Sequence, residues 1–341
     1  PPPPPPPRFQ AEDGIRDQGD GLVGSEMCIR DRTGTGQTTE LRTVPDLDNA
    51  GEGGLMGLTA TADGDAVFAM YTSTNGNRVV RMTWDGSSLG DPREILGGIP
   101  RADFHDGGRL VLGPDGNLYV ATGDAGDPES AQDQESLAGK ILRITAEGEI
   151  PQDNPFGDSA VYSLGHRNVQ GLAFDDEGNL WASEFGSSEY DELNLIVSGG
   201  NYGWPEVEGP SDGASVDESG AGHASDNSSE GPVVEDGSGF IEPKAWWSPT
   251  SASSPSGIAF AQGNIWVAAL RGETLWQVPV KGTEVGQPVA RFQDRFGRLR
   301  DVVKGPKDRI WVLTNNTDGR GSERSEDDRI VDVRLTGTDV D

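Results

Sequence analysis

A single cysteine in 341 residues, Cys28, excludes a disulfide scaffold, because a lone thiol has no partner within the chain. Basic residues are also scarce. Lys and Arg number 27 against 57 Asp and Glu, a formal net charge of −30, and only Lys140, Lys244, Lys281, Lys304 and Lys307 are lysines. A nucleic-acid binder needs a basic stripe to follow a phosphate backbone, and none is visible. No apolar run approaches the roughly 20 residues of a membrane helix, and a long amphipathic helix fits nowhere. Acid-rich, Lys-poor surfaces suit high salt, where screening relieves self-repulsion, so a saline habitat is expected.

The first 32 residues read PPPPPPPRFQAEDGIRDQGDGLVGSEMCIRDR. Residues 10–17 (QAEDGIRD) match an in-frame translation of a common sequencing-library adapter, and 22–31 (LVGSEMCIRD) resemble a second. Segments of this kind are set aside before fold is considered. The expectation is a sequencing-adapter-like artefact over 1–32, holding the only Cys, and a β-propeller domain over 33–341. The remainder then has no cysteine, so cysteine usage says nothing about redox compartment.

What fills 33–341 is one repeated phrase: a turn rich in Asp, Asn and Gly, then a short alternating strand ending in small residues. It occurs as TADGDAVFAMYTS from Thr61, GPDGNLYVATGD from Gly113, DDEGNLWASEFG from Asp175, AQGNIWVAALRG from Ala261 and GPKDRIWVLTNN from Gly305. Asp-Gly and Gly-Asn pairs supply the positive φ of tight hairpin turns, and the residues after them alternate apolar and polar. Hairpin repeats of this length predict an all-β propeller; a β-sandwich with similar hairpins is the alternative. Two stretches break the rhythm. Residues 206–238, packed with Gly, Ser, Asp and Glu, read as an acidic loop insertion, and 318–328 (DGRGSERSEDD) as a shorter excursion.

Polar groups cluster where the repeated strands end. His105 in FHDGGRL precedes the strand that finishes at Asp124, and a hairpin return brings the two together. A carboxylate on one imidazole nitrogen makes the other a general base; on spacing alone a structural or solvent-facing histidine is the commoner reading. LGHRNVQGLAF gathers His166, Arg167, Asn168 and Gln170, donors suited to a planar or anionic ligand, or to a turn that satisfies its own backbone. SEFGSSEYDELN is acidic and a candidate for Ca²⁺, without EF-hand spacing. Arg271, Arg298 and Arg300 lie at strand ends, and arginines grouped at one mouth of so acidic a chain imply an anionic ligand.

Taken together, GEGGLMGL, HDGGRLVLGPDGNLYVATGD, QDQESLAGKILRI, NPF, GHRNVQGLAF, DELNLIVSGGNYGWPEV, SPSGIAF and GRLRDVV resemble the soluble PQQ-dependent sugar dehydrogenases, the glucose/sorbosone dehydrogenase family. The resemblance implies a six-bladed β-propeller and oxidation of an aldose C1 hydroxyl to the lactone, with PQQ and Ca²⁺ as cofactors. It also implies an external electron acceptor and a periplasmic or extracellular location. By motif, His105 is the catalytic base and Asp124 its orienting partner; Arg167, Asn168, Arg271, Arg298 and Arg300 bind the cofactor. The backbone carbonyls of Gly186 and Ser187 ligate the metal. Departures are Arg271 in place of Lys, Glu52 where a substrate-side Gln is usual, and Phe185 and Ser187 in the metal loop. Only 33–49 precede GEGGLMGL, so the first blade is expected to be incomplete, with the signal or lipid anchor lost alongside it.

Two other functions fit the same residues. A non-catalytic propeller binding carbohydrate or a partner is the first, with Glu52 and Phe185 pointing that way. A Ca²⁺-dependent lactonase is the second, although its chemistry wants a central cage of carboxylates and Asn, whereas this mouth carries His and Arg.

Overall fold

The computed structural model describes residues 9–10, 28–32, 38–210, 215–224, 239–324, 327–336 and 339–340. Strands β1 (Phe9–Gln10), β2 (Cys28–Arg32) and β3 (Thr38–Thr43) form a three-stranded sheet in that order. The first blade follows: β4 (Leu55–Ala60), β5 (Ala66–Ser73), β6 (Gly76–Thr83) and β7 (Arg93–Ile99). The second is β8 (Leu110–Leu112), β9 (Asn117–Ala121), β10 (Lys140–Thr145) and β11 (Val161–Leu164). The third has β12 (Val169–Phe174), β13 (Leu180–Glu184), β14 (Asp191–Ile196), β15 (Ala221–His223) and β16 (Ala245–Trp247), in the order β12-β13-β14-β16-β15. The fourth has β17 (Pro255–Ala261), β18 (Asn264–Ala269), β19 (Leu275–Lys281), β20 (Glu284–Val285) and β21 (Val289–Arg291). The fifth is β22 (Leu299–Lys304), β23 (Arg309–Thr314), β24 (Ile330–Thr336) and β25 (Asp339–Val340).

This is an all-β propeller, but the expected six blades with an incomplete first one are corrected to five. Among the described residues ahead of β4 there are strands of two, five and six residues, and these pair with one another as a separate sheet. Of the adapter-like 1–32, most lies outside the described residues. The acidic insertion is also only partly a loop. Ala221–His223 pairs with Ala245–Trp247 and adds a strand to the third blade, because small Ala221 and Gly222 fit against Trp246 and Trp247; 211–214 and 225–238 lie outside the described residues.

Period-2 alternation builds the body. In β5, Phe68 and Met70 face the second blade's Leu118, Val120 and Leu142, while Val67, Ala69 and Tyr71 face Val44 and Leu55 on the other side. In β18, Ile265 and Val267 join Trp181, Trp247 and Trp276, whereas Trp266 and Ala268 join Leu299, Val302 and Ile310. The second, third and fourth blades thus bury both faces against neighbours, so their central strands are apolar throughout, whereas the fifth buries one face and its β23 alternates buried with half-buried residues. The turns are the ones the repeats announced. Gly116 has φ +79°, which a side chain would strain, and Asp115 accepts the N–H of Asn117.

The first strand of each blade lies toward the axis, with β12 beside β17, β17 beside β22 and β4 beside β8. Register breaks recur near their starts, at Leu55/Gly57, Val169/Gly171, Pro255/Ile258 and Leu299/Asp301. Just before β8, the Gly108 N–H donates to the Ala121 carbonyl and the Ala121 N–H donates to Arg109, so two residues oppose one. Such bulges re-aim the residue they isolate. Here those residues include Met56, Arg109, Gln170, Ser256 and Arg300. In an antiparallel meander, first strands begin where second strands end. One face therefore collects Glu52, His105, Arg167 and Asn168 from strand starts, with Asp124, Gly186 and Arg271 from strand ends.

Candidate active site

His105 sits at φ +62°, a left-handed conformation that costs a non-glycine residue about 1–3 kcal/mol and persists only where its surroundings fix it. Those surroundings are specific. The His105 N–H donates to Glu52 Oε2 at 3.1 Å, and the His105 carbonyl accepts from Ala125 at 3.2 Å. The imidazole Nδ1 lies 2.8 Å from Asp124 Oδ1. Asp124 is 1 % exposed and also accepts from the Gly126 N–H and from Trp204 Nε1, each at 2.9 Å. Burial alone would push the Asp124 carboxyl up; the hydrogen bond from His105, then those from Gly126 and Trp204 with the charge of His105, outweigh it and hold the carboxyl below its ordinary 3.8. An ionised Asp124 only accepts, so Nδ1 carries a proton whether or not the ring is charged, and in the neutral imidazole the lone pair lies at Nε2. Phe104, 47 % exposed, stands edge-on to this imidazole at 4.8 Å.

The 166–170 segment runs alongside. Asp124 donates its N–H to the Arg167 carbonyl at 2.8 Å, and Gly123 bridges Asn168, which ties this strand start to the histidine's partner. Glu184 accepts the N–H groups of Arg167 and Asn168 and the Nδ1 of His166. The Arg167 guanidinium lies 5.4 Å from the Trp204 ring and donates to the carbonyls of Phe185 at 3.3 Å and Gly186 at 2.7 Å. Its Nε is buried without a hydrogen-bond partner. His166 turns inward instead. Fully buried, it bonds Ser163 Oγ and Glu184 at 2.9 Å each and stacks on Tyr202. Ser163 is also fully buried, so this Ser–His–Glu connectivity has no route to a substrate.

The 186–190 turn wraps a carboxylate. Glu208 Oε1 accepts the N–H groups of Ser187, Ser188, Glu189 and Tyr190 at 2.8, 2.9, 2.9 and 3.1 Å. In a trans peptide N–H and C=O point in opposite directions. With these N–H groups converging on Glu208, the carbonyls of Gly186 and Ser187 face away from it. A side chain at 186 has no room: a Cβ would lie 1.6 Å from the Tyr190 carbonyl oxygen. Asp191, nearly fully buried, accepts from Gly186 and Ser254, and burial raises its carboxyl to about 7. Among the described residues no three His, Cys, Asp or Glu side chains are grouped to hold an ion. A cation here would rest on outward carbonyls, the ligand type Ca²⁺ accepts; that of Gly186 accepts from the Arg167 guanidinium at 2.7 Å, which would have to turn away for an ion to bind there.

The other expected residues are more dispersed. Arg300 is buried and reaches Gln170 and Ser256, which connects it to Asn168. Arg298 is held by Asp318, with Nε at 3.1 Å and Nη2 at 3.0 Å, so a carboxylate of the chain already faces its charge. Arg271 is exposed just past the end of β18. Glu52, besides accepting from His105, lies 3.6 Å from Arg320 of the 318–328 excursion. Trp204, Phe104, Glu184, Glu208, Arg109 and Arg320 are additions to the expected set. Trp204 lies in the GGNYGWP motif, Phe104 and Arg109 in FHDGGRL, Glu184 in SEFGSSEYDELN and Arg320 in the 318–328 excursion; Glu208 has no such signal. A cavity of about 550 Å³ opens at the opposite ends of the axial strands, between Thr59, Leu112, Pro114 and Phe174. No expected site residue lines it, so the polar face remains the candidate.

One face of the propeller thus carries a His–Asp couple beside arginine and asparagine donors. The chain belongs to the glucose/sorbosone dehydrogenase family, whose model matches residues 24–323. It is 30 % identical over 316 residues to the aldose sugar dehydrogenase YliI of Escherichia coli K12, covering 84 % of this chain and 81 % of that protein. It is also similar to the PQQ-bound aldose sugar dehydrogenase of Streptomyces coelicolor, with a TM-score of 0.81 and 42 % identity over 96 % of this chain and 98 % of that one. The apo form of the soluble aldose sugar dehydrogenase of Escherichia coli gives 0.72 and 29 % over 84 % and 87 %.

Proposed function

We propose that the chain is a quinoprotein that oxidises the C1 hydroxyl of an aldose to the lactone, using PQQ and Ca²⁺. The observation that carries this reading is the His105–Asp124 couple, 2.8 Å apart, on the same face as the partnerless Arg167 Nε. PQQ, when bound, supplies a two-electron sink for the hydride leaving C1. The protein supplies the rest. His105 Nε2 takes the hydroxyl proton, and Asp124 stabilises the imidazolium that results. Arg167 and Asn168 would donate to the quinone, and the exposed Arg271 would supply positive charge for the cofactor carboxylates. Arg300 contributes charge from beneath, and Arg298, shared with Asp318, a smaller part. The carbonyls of Gly186 and Ser187 would hold Ca²⁺, that of Gly186 once the Arg167 guanidinium releases it.

Glu52 places a carboxylate beside the substrate, with Arg320 as its counter-ion. The enzyme works in the periplasm or outside the cell and passes electrons to an external acceptor. Titrating apo-protein with PQQ, then assaying dye-linked aldose oxidation with Ca²⁺, tests the reading. Saturable binding and sugar-dependent dye reduction, lost in His105→Ala with binding retained, are expected. A folded protein with no affinity for PQQ would leave a carbohydrate-binding propeller as the better account.

A further inference from the structure

Asn168 makes hydrogen bonds through three of its groups. Its N–H donates to Glu184, its carbonyl accepts from Phe185, and its side-chain Oδ1 accepts from Gln170 Nε2 at 3.0 Å. A carboxamide has one accepting end and one donating end, and which end faces a ligand is decided by what holds the other. The holder here is Gln170, itself a carboxamide with the same ambiguity. Arg300 resolves it, since a guanidinium only donates. Arg300 Nη1 lies 3.1 Å from Gln170 Oε1 and 3.1 Å from Ser256 Oγ. The oxygen of Gln170 must therefore face Arg300, its Nε2 must face Asn168, and the Asn168 Nδ2 group is the end left for the site.

All three side chains are buried, Gln170 and Arg300 at 8 % exposure and Asn168 at 1 %, so water does not scramble the relay. Its geometry comes from the bulges: Gln170 and Arg300 are each the residue isolated by a register break in its axial strand, which turns both toward the channel. We infer that Gln170 is a positioning residue, which passes the donor-only polarity of Arg300 to Asn168 so that Asn168 offers an N–H, never an oxygen, to the cofactor. The inference rests on the PQQ reading above and concerns its binding step.

Gln170→Glu is the reversing variant. A carboxylate at 170 accepts from Arg300 and from the Asn168 amino group, so the Asn168 amide turns over and sets Oδ1 against a quinone oxygen. PQQ affinity of apo-protein, read by absorbance titration, should fall about tenfold or more, the scale of one charge-assisted hydrogen bond lost. Gln170→Met removes the constraint without reversing it, and should cost less. Both changes are repeated in an Asn168→Ala background, where a residue acting only through Asn168 has nothing left to orient, and the added loss should shrink to within about threefold. Equal affinity in wild type and Gln170→Glu overturns the inference. So does an undiminished loss in the Asn168→Ala background, which would mark a bulk charge effect. Unfolding midpoints verify that each variant is folded; should Gln170→Glu not fold, the Gln170→Met cycle decides by the same criterion. Failure of the wild type to bind PQQ strikes the proposed function instead.

Discussion

Arg109 and Asp301 form an ion pair of 2.7 Å although 192 residues separate them in the chain. One belongs to the second blade and the other to the fifth, so the contact spans the channel. Arg109 Nε also donates to the Gln170 carbonyl at 3.0 Å, which adds the third blade. The fourth blade makes room for the carboxylate: a Cβ on Gly257 would lie 1.7 Å from Asp301 Oδ1. Removing one partner of a largely buried pair leaves the other charge uncompensated. Arg109→Met should therefore lower stability by about 2 kcal/mol or more in urea unfolding. Arg109→Met combined with Asp301→Asn should recover part of that loss. No loss in the single variant would show the pair to be incidental.

Asp124→Asn tests the couple at its second member. Trp204 Nε1 and the Gly126 N–H both only donate, to Oδ2 and to Oδ1 respectively, so a single Asn oxygen cannot serve both and the carboxylate charge beside His105 Nδ1 is lost. The imidazolium that would form on proton abstraction then has no counter-charge. Sugar oxidation should fall about 10²-fold or more in kcat, with PQQ affinity nearly unchanged. Similar kcat in the variant would remove Asp124 from the mechanism.

Phe104 leaves nearly half its surface in solvent beside His105, an uncommon state for so apolar a side chain. Its ring offers a flat apolar face beside His105, where the proposed aldose would be held. Phe104→Ala should raise KM for the aldose about three- to tenfold and leave kcat within about twofold, the scale of one aromatic contact. A change confined to kcat would instead mean that the ring only props the imidazole.

Some of this architecture is legible from local pattern, and some has none to read. The hairpins announce themselves because alternation and Asp-Gly turns are set within about a dozen residues. His105 and Asp124 are within reach for the same reason, lying one hairpin apart. Arg109–Asp301 and Glu208 with its four amides are different. Their partners lie in other blades or in an irregular insertion, and no periodicity marks them. The blade count goes astray where the chain before β4 is read by analogy, and Ala221–His223 hides in a stretch whose composition says loop. Arg298 shows the limit of counting charges, since Asp318 already takes its guanidinium.

Glu208→Gln tests whether the carboxylate shapes the carbonyl row. Four N–H groups share one charged oxygen; a neutral amide oxygen holds them more weakly. The turn should loosen and the Gly186 and Ser187 carbonyls lose their common direction. Apparent Ca²⁺ affinity, followed by terbium luminescence and calcium competition, should drop about tenfold, with the unfolding midpoint little changed. Unaltered terbium binding would place the metal elsewhere.

Asp106, next to His105, gives a pH signature of its own. It is 3 % exposed; burial raises its carboxyl above the ordinary 3.8, against the hydrogen bonds from Asn77 and Ala102 and the charge of Arg101. Oδ1 accepts from Asn77 at 2.8 Å and from Ala102 at 3.1 Å, while Oδ2 has no partner. A raised acid holds its proton in the folded state after the unfolded chain has released it. Its contribution is therefore full below the unfolded value and fades as pH climbs from there through the folded value. Asp106→Asn keeps the accepting oxygen and has no proton to lose. The stability of Asp106→Asn relative to wild type should rise as pH climbs above about 4, then level off once the folded wild-type carboxyl ionises. Urea unfolding of both proteins at matched ionic strength from pH 4 to 8 measures this. A difference that stays constant across the range would mean that Asp106 is already charged at pH 4, and that its buried Oδ2 is satisfied by solvent.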